Sequence, residues 1–111
     1  MGDITYSLSY LPLFYNDLEE HVMYISEVLH NRTAANELLD DVEAAILERL
    51  PYAESFEPYR SKKERKYPYY RIYGKNYTIF YVVIPDEDEP GRKTMEVRRI
   101  LHKLQDRNKY I

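Results

Sequence analysis

The chain has 111 residues, of which 44% are hydrophobic and 32% are charged, and its formal net charge is −3. These values are typical of a globular protein and exclude a disordered one, so we expect one domain over residues 1–111. The absence of cysteine excludes disulfides and thiolate metal sites, and the three histidines lack metal-ligand spacing. No apolar run approaches the roughly 20 residues of a membrane span and no signal peptide is evident, so a cytoplasmic protein is expected.

The small net charge hides a strong asymmetry between the two halves of the chain. Residues 1–57 contain twelve acidic and two basic residues, whereas residues 58–111 contain seven acidic and fourteen basic residues. Such an asymmetry indicates a surface that faces a polyanion. Acidic helices that neutralise basic strands in space explain it equally well, so both interpretations stay open.

The first half of the chain has the pattern of one strand and two helices. Residues 3–10 alternate apolar and polar side chains and predict a half-buried strand, which Pro12 ends. In residues 13–30 apolar side chains recur every three or four positions, which predicts a helix with one apolar face. Residues 33–50 repeat that pattern and Pro51 ends it, so the short connection predicts an antiparallel helical hairpin.

The second half of the chain has the pattern of a sheet. Residues 60–66 are rich in basic side chains and are predicted to form a loop, and a tyrosine-rich strand is predicted over 67–73. Residues 77–84 are apolar on both faces and predict a central strand, and a last strand is predicted over 94–102. The polar tail over 103–111 is predicted to form a short helix or an arm. The order β-α-α-β-β-β predicts an α+β fold, with the helical hairpin packed on one face of a small, mostly antiparallel sheet.

Seven different short sequence features follow one another at characteristic spacings along nearly the whole chain. They are Asp17-Leu18, Tyr24-Ile25, Ala34-Ala35, Leu50-Pro51, Tyr70-Arg71, Asn76-Tyr77-Thr78-Ile79-Phe80-Tyr81, and Val97-Arg98-Arg99-Ile100-Leu101-His102 followed by Asp106. With these features the chain resembles the RelE/ParE superfamily, the toxins of bacterial and archaeal type II toxin–antitoxin modules. The resemblance implies a growth-arresting toxin that is neutralised by a cognate protein antitoxin.

The superfamily divides by target, and the resemblance leaves three functions open. RelE-like members enter the ribosomal A site and cleave mRNA, whereas ParE-like members poison DNA gyrase and are not nucleases. A weakened relative keeps only antitoxin binding. We expect a ribosome-dependent, metal-independent mRNA endonuclease that acts without a cofactor, with gyrase inhibition and the weakened module as alternatives. A sheet face rich in tyrosine and surrounded by basic residues is expected to bind an acidic antitoxin segment.

Cleavage of RNA through its 2′-hydroxyl needs cations at the phosphate and groups that transfer protons. Arg71 and Arg99 fit the family resemblance and offer planar guanidinium groups to a phosphate, and a histidine such as His102 can take or give a proton. We therefore predict these three residues as catalytic. Residues that are basic or that stack on a base are predicted to bind RNA: Lys62, Lys63, Arg65, Lys66 and Tyr73.

Each candidate also has a structural interpretation. Arg71 pairs in that case with an acid of the second helix, such as Glu43 or Glu48. Arg98 and Arg99 are adjacent, so a regular strand points them to opposite faces, and only one reaches a site unless a bulge intervenes. Most of the tyrosines are expected to pack in the core and on the sheet.

Overall fold

The computed structural model describes residues 3–59, 65–103, 105 and 110–111. The elements in chain order are β1 (Thr5–Tyr10), α1 (Pro12–Met23), a π-helical turn (Tyr24–Val28), α2 (Arg32–Arg49), a 3-10 turn (Leu50–Tyr52), β2 (Tyr70–Tyr73), β3 (Tyr77–Pro85) and β4 (Arg92–His102). The strands form one sheet in the order β1-β4-β3-β2, in which only β1 and β4 are parallel. The predicted α+β fold, with two helices on a mostly antiparallel sheet, is confirmed.

The first helix differs from its prediction at its C-terminal end. The helix predicted over 13–30 is α-helical only to Met23 and continues as the π-helical turn. In that turn the Leu29 N–H bonds the Tyr24 carbonyl oxygen, five residues back, which widens the helix. Apolar spacing does not distinguish these two bonding patterns, so the sequence did not reveal the change.

Two strands begin at residues other than the predicted ones, because a strand begins where its main chain finds a pairing partner. β2 begins at Tyr70, three residues after the predicted start, because Tyr69 forms only an isolated bridge with Tyr59 of the preceding loop. β4 begins at Arg92, two residues before the predicted start, because Thr5 of β1 pairs with it there. The predicted central strand is confirmed, since β3 is buried along nearly its whole length.

The sheet is buried unequally on its two faces. On one face the helices contribute Phe14, Val42 and Ile46 to a core that extends across all four strands. Burying each of these large apolar side chains contributes roughly 1.5–3 kcal/mol. On the opposite face a smaller cluster contains Tyr69, Phe80, Val82, Leu101 and Ile111. This second face has no helical layer of its own among the described residues.

The end of β4 extends past β1 and is completed by side chains of α1. β1 ends at Tyr10, so β4 has no partner strand on that side beyond Val97. The Asp17 carboxylate accepts the backbone N–H of Ile100 at 3.1 Å, and His21 Nε2 lies 3.4 Å from the carbonyl oxygen of the same residue. Asp17 and His21 are one helical turn apart, so a single face of α1 replaces the missing strand.

The Asp17 carboxylate also holds the side chain of the residue that precedes Ile100. Arg99 donates to it from Nε at 2.7 Å and from Nη2 at 2.8 Å. Only 9% of the Asp17 surface is exposed. With three donors on one buried carboxylate, the negative charge is compensated and the position of β4 relative to α1 is fixed.

A β-bulge lies directly beside this ion pair. Phe80 of β3 pairs with Arg99, whereas the next residue, Tyr81, pairs with Val97, so Arg98 is an extra residue in β4. Val97 and Ile100 both pack in the helix-side core, and the two arginines between them face the other side. Because of this bulge, the adjacent residues Arg98 and Arg99 both lie on one face, which a regular strand would not allow.

The opposite edge of the sheet is closed by Arg49, the last residue of α2. Its Nη1 donates to the carbonyl oxygen of Arg71 at 2.9 Å and to the hydroxyl of Tyr81 at 3.1 Å. The Tyr59 N–H bonds the carbonyl oxygen of Tyr69 on the same edge. A further strand cannot pair with β2 unless it displaces these bonds.

We predict that Asp17→Asn destabilises the fold by about 3 kcal/mol, because it leaves the partly buried Arg99 guanidinium without its carboxylate. Urea unfolding followed by circular dichroism measures the change. Asp40→Asn is the matched control, since Asp40 is exposed on α2, and it should stay within about 0.5 kcal/mol of the parent. Equal stability of the two variants would contradict the role assigned to Asp17.

His21 gives the fold a dependence on pH. Burial lowers the pKa of His21, and the nearby His102 lowers it further, although the bond to Ile100 and the charges of Asp17 and Glu20 act in the opposite direction. The unfolded chain therefore binds a proton at His21 more readily than the folded chain. Stability should be complete above the ordinary histidine pKa of about 6.5 and should decrease as the pH falls below it.

Urea unfolding between pH 5 and 7.5 tests this dependence. We predict that His21→Gln, which keeps an N–H donor but does not titrate, has a flatter profile of unfolding free energy than the parent. His30→Gln removes an exposed histidine and should keep the slope of the parent. A slope unchanged in His21→Gln would contradict the assignment.

Candidate functional site

Two of the predicted catalytic residues, Arg71 and Arg99, lie in one row across the sheet with Phe80 between them. Arg71 of β2 pairs with Phe80 of β3, which pairs with Arg99 of β4. Directly opposed residues point to the same face, and two strand spacings separate the outer Cα atoms by about 10 Å. The sheet thus brings Arg71 and Arg99 to the face that is opposite the helices, together with the bulged Arg98.

Guanidinium groups lie against tyrosine rings across this face. The Arg71 guanidinium carbon is 4.9 Å from the ring centre of Tyr59 and 5.3 Å from that of Tyr73. Tyr69 has the Arg65 guanidinium carbon at 4.7 Å and that of Arg98 at 5.9 Å from its ring centre. We call the surface formed by the following residues the arginine face: Arg65, Arg71, Arg98, Arg99, Tyr59, Tyr69 and Tyr73.

The four guanidinium groups of the arginine face differ in their hydrogen-bond and ion-pair partners. Arg99 is held by Asp17, Arg98 donates from Nε to Glu96 at 2.9 Å, and Arg65 donates to the carbonyl oxygen of Ile111. Arg71 forms no ion pair with a carboxylate of the described residues, since the ion pairs there involve other cations. The predicted alternative for Arg71, pairing with Glu43 or Glu48, is not realised, because α2 lies on the other face.

Hydrogen bonds favour the charged form of Arg98 and of Arg99. Burial lowers the pKa of Arg98, but its hydrogen bonds with Tyr69 and Glu96 outweigh burial and raise the pKa above its ordinary value. The bond to Asp17 likewise raises the pKa of Arg99. A face with several fixed positive charges beside aromatic rings attracts anions that also carry flat, apolar groups.

His102 does not lie with the other two predicted catalytic residues. It pairs with Tyr77 at the end of β4 and faces the helices, where its ring centre is 6.1 Å from that of His21. The two histidines line open grooves between α1 and the sheet. The His102 side chain therefore leaves the sheet on the face opposite to Arg71 and Arg99, although the Arg99 guanidinium reaches Asp17 of α1.

The predicted RNA-binding residues are placed unequally. Lys62 and Lys63 lie outside the described residues, as do Asp106 and most of the tail predicted over 103–111. Lys66 is exposed, with Nζ at 5.5 Å from the ring centre of Tyr67. Arg65 and Tyr73 belong to the arginine face, and 59% of the Tyr73 surface is exposed.

The described ranges contain neither a candidate metal site nor a candidate membrane span. Their histidine, aspartate and glutamate side chains form no group of three or more that would hold a metal ion. No helix within them is both long enough and apolar enough to cross a membrane.

Arg98 is the residue that sequence reasoning left out of the site. The sequence did contain a signal for it. Met95 and Val97 are spaced by two, as in a regular strand, but the next buried residue on the helix side is Ile100, three positions further on. A change from a spacing of two to a spacing of three between buried residues of one strand indicates a bulge.

Comparison with known proteins agrees with this fold. The family described as ParE toxin of type II toxin-antitoxin system, parDE, matches residues 8–107. No curated protein sequence matches the chain significantly. The family match covers most of the chain, and the chain therefore belongs to the ParE toxin family.

Proposed function

We propose that this ParE-family toxin arrests growth by cleaving mRNA in the ribosomal A site, and that it binds the RNA on its arginine face. Membership of a type II toxin–antitoxin family implies a cognate protein antitoxin as a partner. The ribosome and mRNA as targets are our proposal. The observation that carries it is the set of guanidinium groups on tyrosine rings across one open sheet face.

Single-stranded RNA presents the chemistry that this face complements. Its phosphates are anionic, and its unpaired bases stack on aromatic side chains. The Arg71 guanidinium, which lacks a carboxylate partner among the described residues, offers two parallel N–H donors to a phosphate. Tyr73 is well exposed beside Arg71 and offers a ring to an adjacent base. The antitoxin, through an acidic segment, would neutralise the toxin by covering the same charges.

The cleavage reaction assigns different tasks to the arginines. The 2′-hydroxyl attacks the neighbouring phosphorus and the 5′-oxygen leaves, so negative charge develops on the phosphoryl oxygens. Arg71 and Arg98 would stabilise that charge. Arg99 would act as a positioning residue, because its bonds to Asp17 hold the bulge that presents Arg98. We assign His102 a structural role at the end of β4, since it faces the helices.

Proton transfer requires groups on the same face as the phosphate. Glu96 lies there, next to Arg98, and so does the Tyr69 hydroxyl, which is hydrogen-bonded with Arg98. These groups replace His102 as the candidates for accepting the 2′-hydroxyl proton and for protonating the leaving oxygen.

Gyrase inhibition is the second candidate, and a separate surface favours it. The helical layer carries nine of the nineteen acidic residues of the chain. It exposes large apolar side chains near the end of α1 and around the π-helical turn, namely Met23, Tyr24, Val28 and Leu29. An apolar patch with a charged surround is typical of a surface that binds another protein. This surface lies on the other side of the sheet from the arginine face.

We predict that the purified toxin cleaves a reporter mRNA within the A-site codon of programmed ribosomes and leaves gyrase supercoiling unchanged. Primer extension and a supercoiling assay on the same sample measure the two activities. Arg71→Ala should reduce cleavage at least tenfold, about 1.4 kcal/mol of transition-state stabilisation, while circular dichroism shows an intact fold. Its guanidinium lies against the Tyr59 and Tyr73 rings and forms no ion pair within the described residues.

Arg32→Ala is the matched control, because it removes an exposed arginine at the start of α2, and it should cleave like the parent. Intact mRNA together with gyrase-dependent double-strand breaks would replace the proposal with gyrase inhibition. Full cleavage by Arg71→Ala would show that the arginine face is not the site. No activity in either assay, with antitoxin binding retained, would identify a weakened antitoxin-binding module.

A further inference from the structure

The outer edge of β1 is open. In the parallel pair the Thr5 N–H bonds the Gly91 carbonyl oxygen at 2.8 Å, which fixes the alternation of main-chain groups along the strand. The N–H and C=O groups that point away from β4 belong to Tyr6, Leu8 and Tyr10. The described residues provide no hydrogen bond to these groups.

This edge lacks the features that protect sheet edges in monomeric proteins. β1 is six residues long and contains no charge, no proline and no bulge. The other edge of the sheet is protected, because Arg49 and Tyr59 occupy the outward carbonyl groups of β2 and its bridge. The contrast identifies β1 as the edge that is available for pairing with another strand.

The sequence of this edge is a palindrome: Tyr6-Ser7-Leu8-Ser9-Tyr10 reads the same in both directions. We propose that β1 pairs in antiparallel fashion with β1 of a second copy of this chain, about a twofold axis at Leu8. Leu8 then lies opposite Leu8 of the second copy, Tyr6 opposite Tyr10, and Ser7 opposite Ser9. A twofold axis makes each contact reciprocal, and the palindrome adds that each side chain meets one of its own kind.

The hydrogen-bond pattern agrees with this register. The outward-pointing residues are the ones placed opposite each other, so every such pair is of the hydrogen-bonded type and exchanges both N–H···O bonds. Tyrosine and leucine pairs lie on the helix side, where Tyr6, Leu8 and Tyr10 already pack against the core. The serine pairs lie on the other side and bond through their hydroxyls.

Exposed apolar residues next to β1 support the same partner. Ile4 is 45% exposed and Leu13, at the start of α1, is 44% exposed. Antiparallel pairing directs Ile4 of one copy toward the start of α1 in the other, which covers both residues. The dimer forms one eight-stranded sheet with both helical layers on one side, because the twofold axis is perpendicular to the sheet. Two arginine faces then lie side by side on the opposite surface.

Charge variants at the serine pairs test the interface without touching the core. We predict that the free full-length protein sediments as a dimer across a concentration series in analytical ultracentrifugation. The double variant Ser7→Lys with Ser9→Lys places like charges opposite each other and should weaken dimerisation at least tenfold. The variant Ser7→Lys with Ser9→Glu has the same number of changes but places opposite charges together, and it should restore the dimer.

The register has its own test, because the chain contains no cysteine. Leu8→Cys should form a disulfide-linked dimer on oxidation, whereas Thr5→Cys should not, since the two copies of Thr5 lie far apart in this register. The proposal is overturned if the parent is monomeric, or if the parent and the two double variants dimerise equally. Cross-linking by Thr5→Cys but not by Leu8→Cys would also overturn it. If the parent is monomeric and the double lysine variant loses antitoxin binding instead, the edge receives an antitoxin strand and not a second copy.

Discussion

The contact between the Asp17 carboxylate, the Arg99 guanidinium and the backbone of Ile100 is the constraint on which the rest of the structure depends. β1 is too short to accompany β4 to its end, and an unpaired strand edge beside a core would leave N–H and C=O groups unsatisfied. Asp17 and His21, one turn apart on α1, bond both groups of Ile100. This contact attaches the helical layer to the sheet and anchors β4 at its bulge.

Arginines of the chain have two kinds of surroundings, the bonded interior of the fold and the open face of the sheet. Arg99 is committed to Asp17 and Arg49 to the edge of β2, so their positive charges stabilise the fold. Arg71 and Arg98 lie against tyrosine rings on the open face, where Arg98 also pairs with Glu96. Both interpretations of the charge asymmetry, internal neutralisation and a surface for a polyanion, therefore apply to different parts of the chain. Part of it is neutralised between helix and strand, and part of it forms a cationic face.

Periodicity predicted the elements, but it did not predict how they are joined. Alternation in residues 3–10, apolar stripes in two helices and a doubly apolar strand were sufficient for the fold class, because each pattern reports burial directly. The bulge at Arg98, the π-helical turn and the shortened β2 depend on individual main-chain bonds, which apolar spacing does not encode. Arg71, which was predicted as catalytic, lies on the open face, as the regular alternation of β2 requires. His102 was predicted as catalytic together with Arg71 and Arg99, and its side chain lies on the helix side, because the bulge changes which residues of β4 face the helices.

The most direct test of this account is a comparison of Arg98→Gln with Arg99→Gln, each measured for toxicity during induced expression and for thermal stability after purification. The account predicts that Arg98→Gln loses toxicity and keeps the melting temperature of the parent, because Arg98 serves the open face. It predicts that Arg99→Gln lowers the melting temperature by several degrees, because Asp17 loses its partner. A toxic Arg98→Gln protein, or an Arg99→Gln protein that is inactive at unchanged stability, would contradict it.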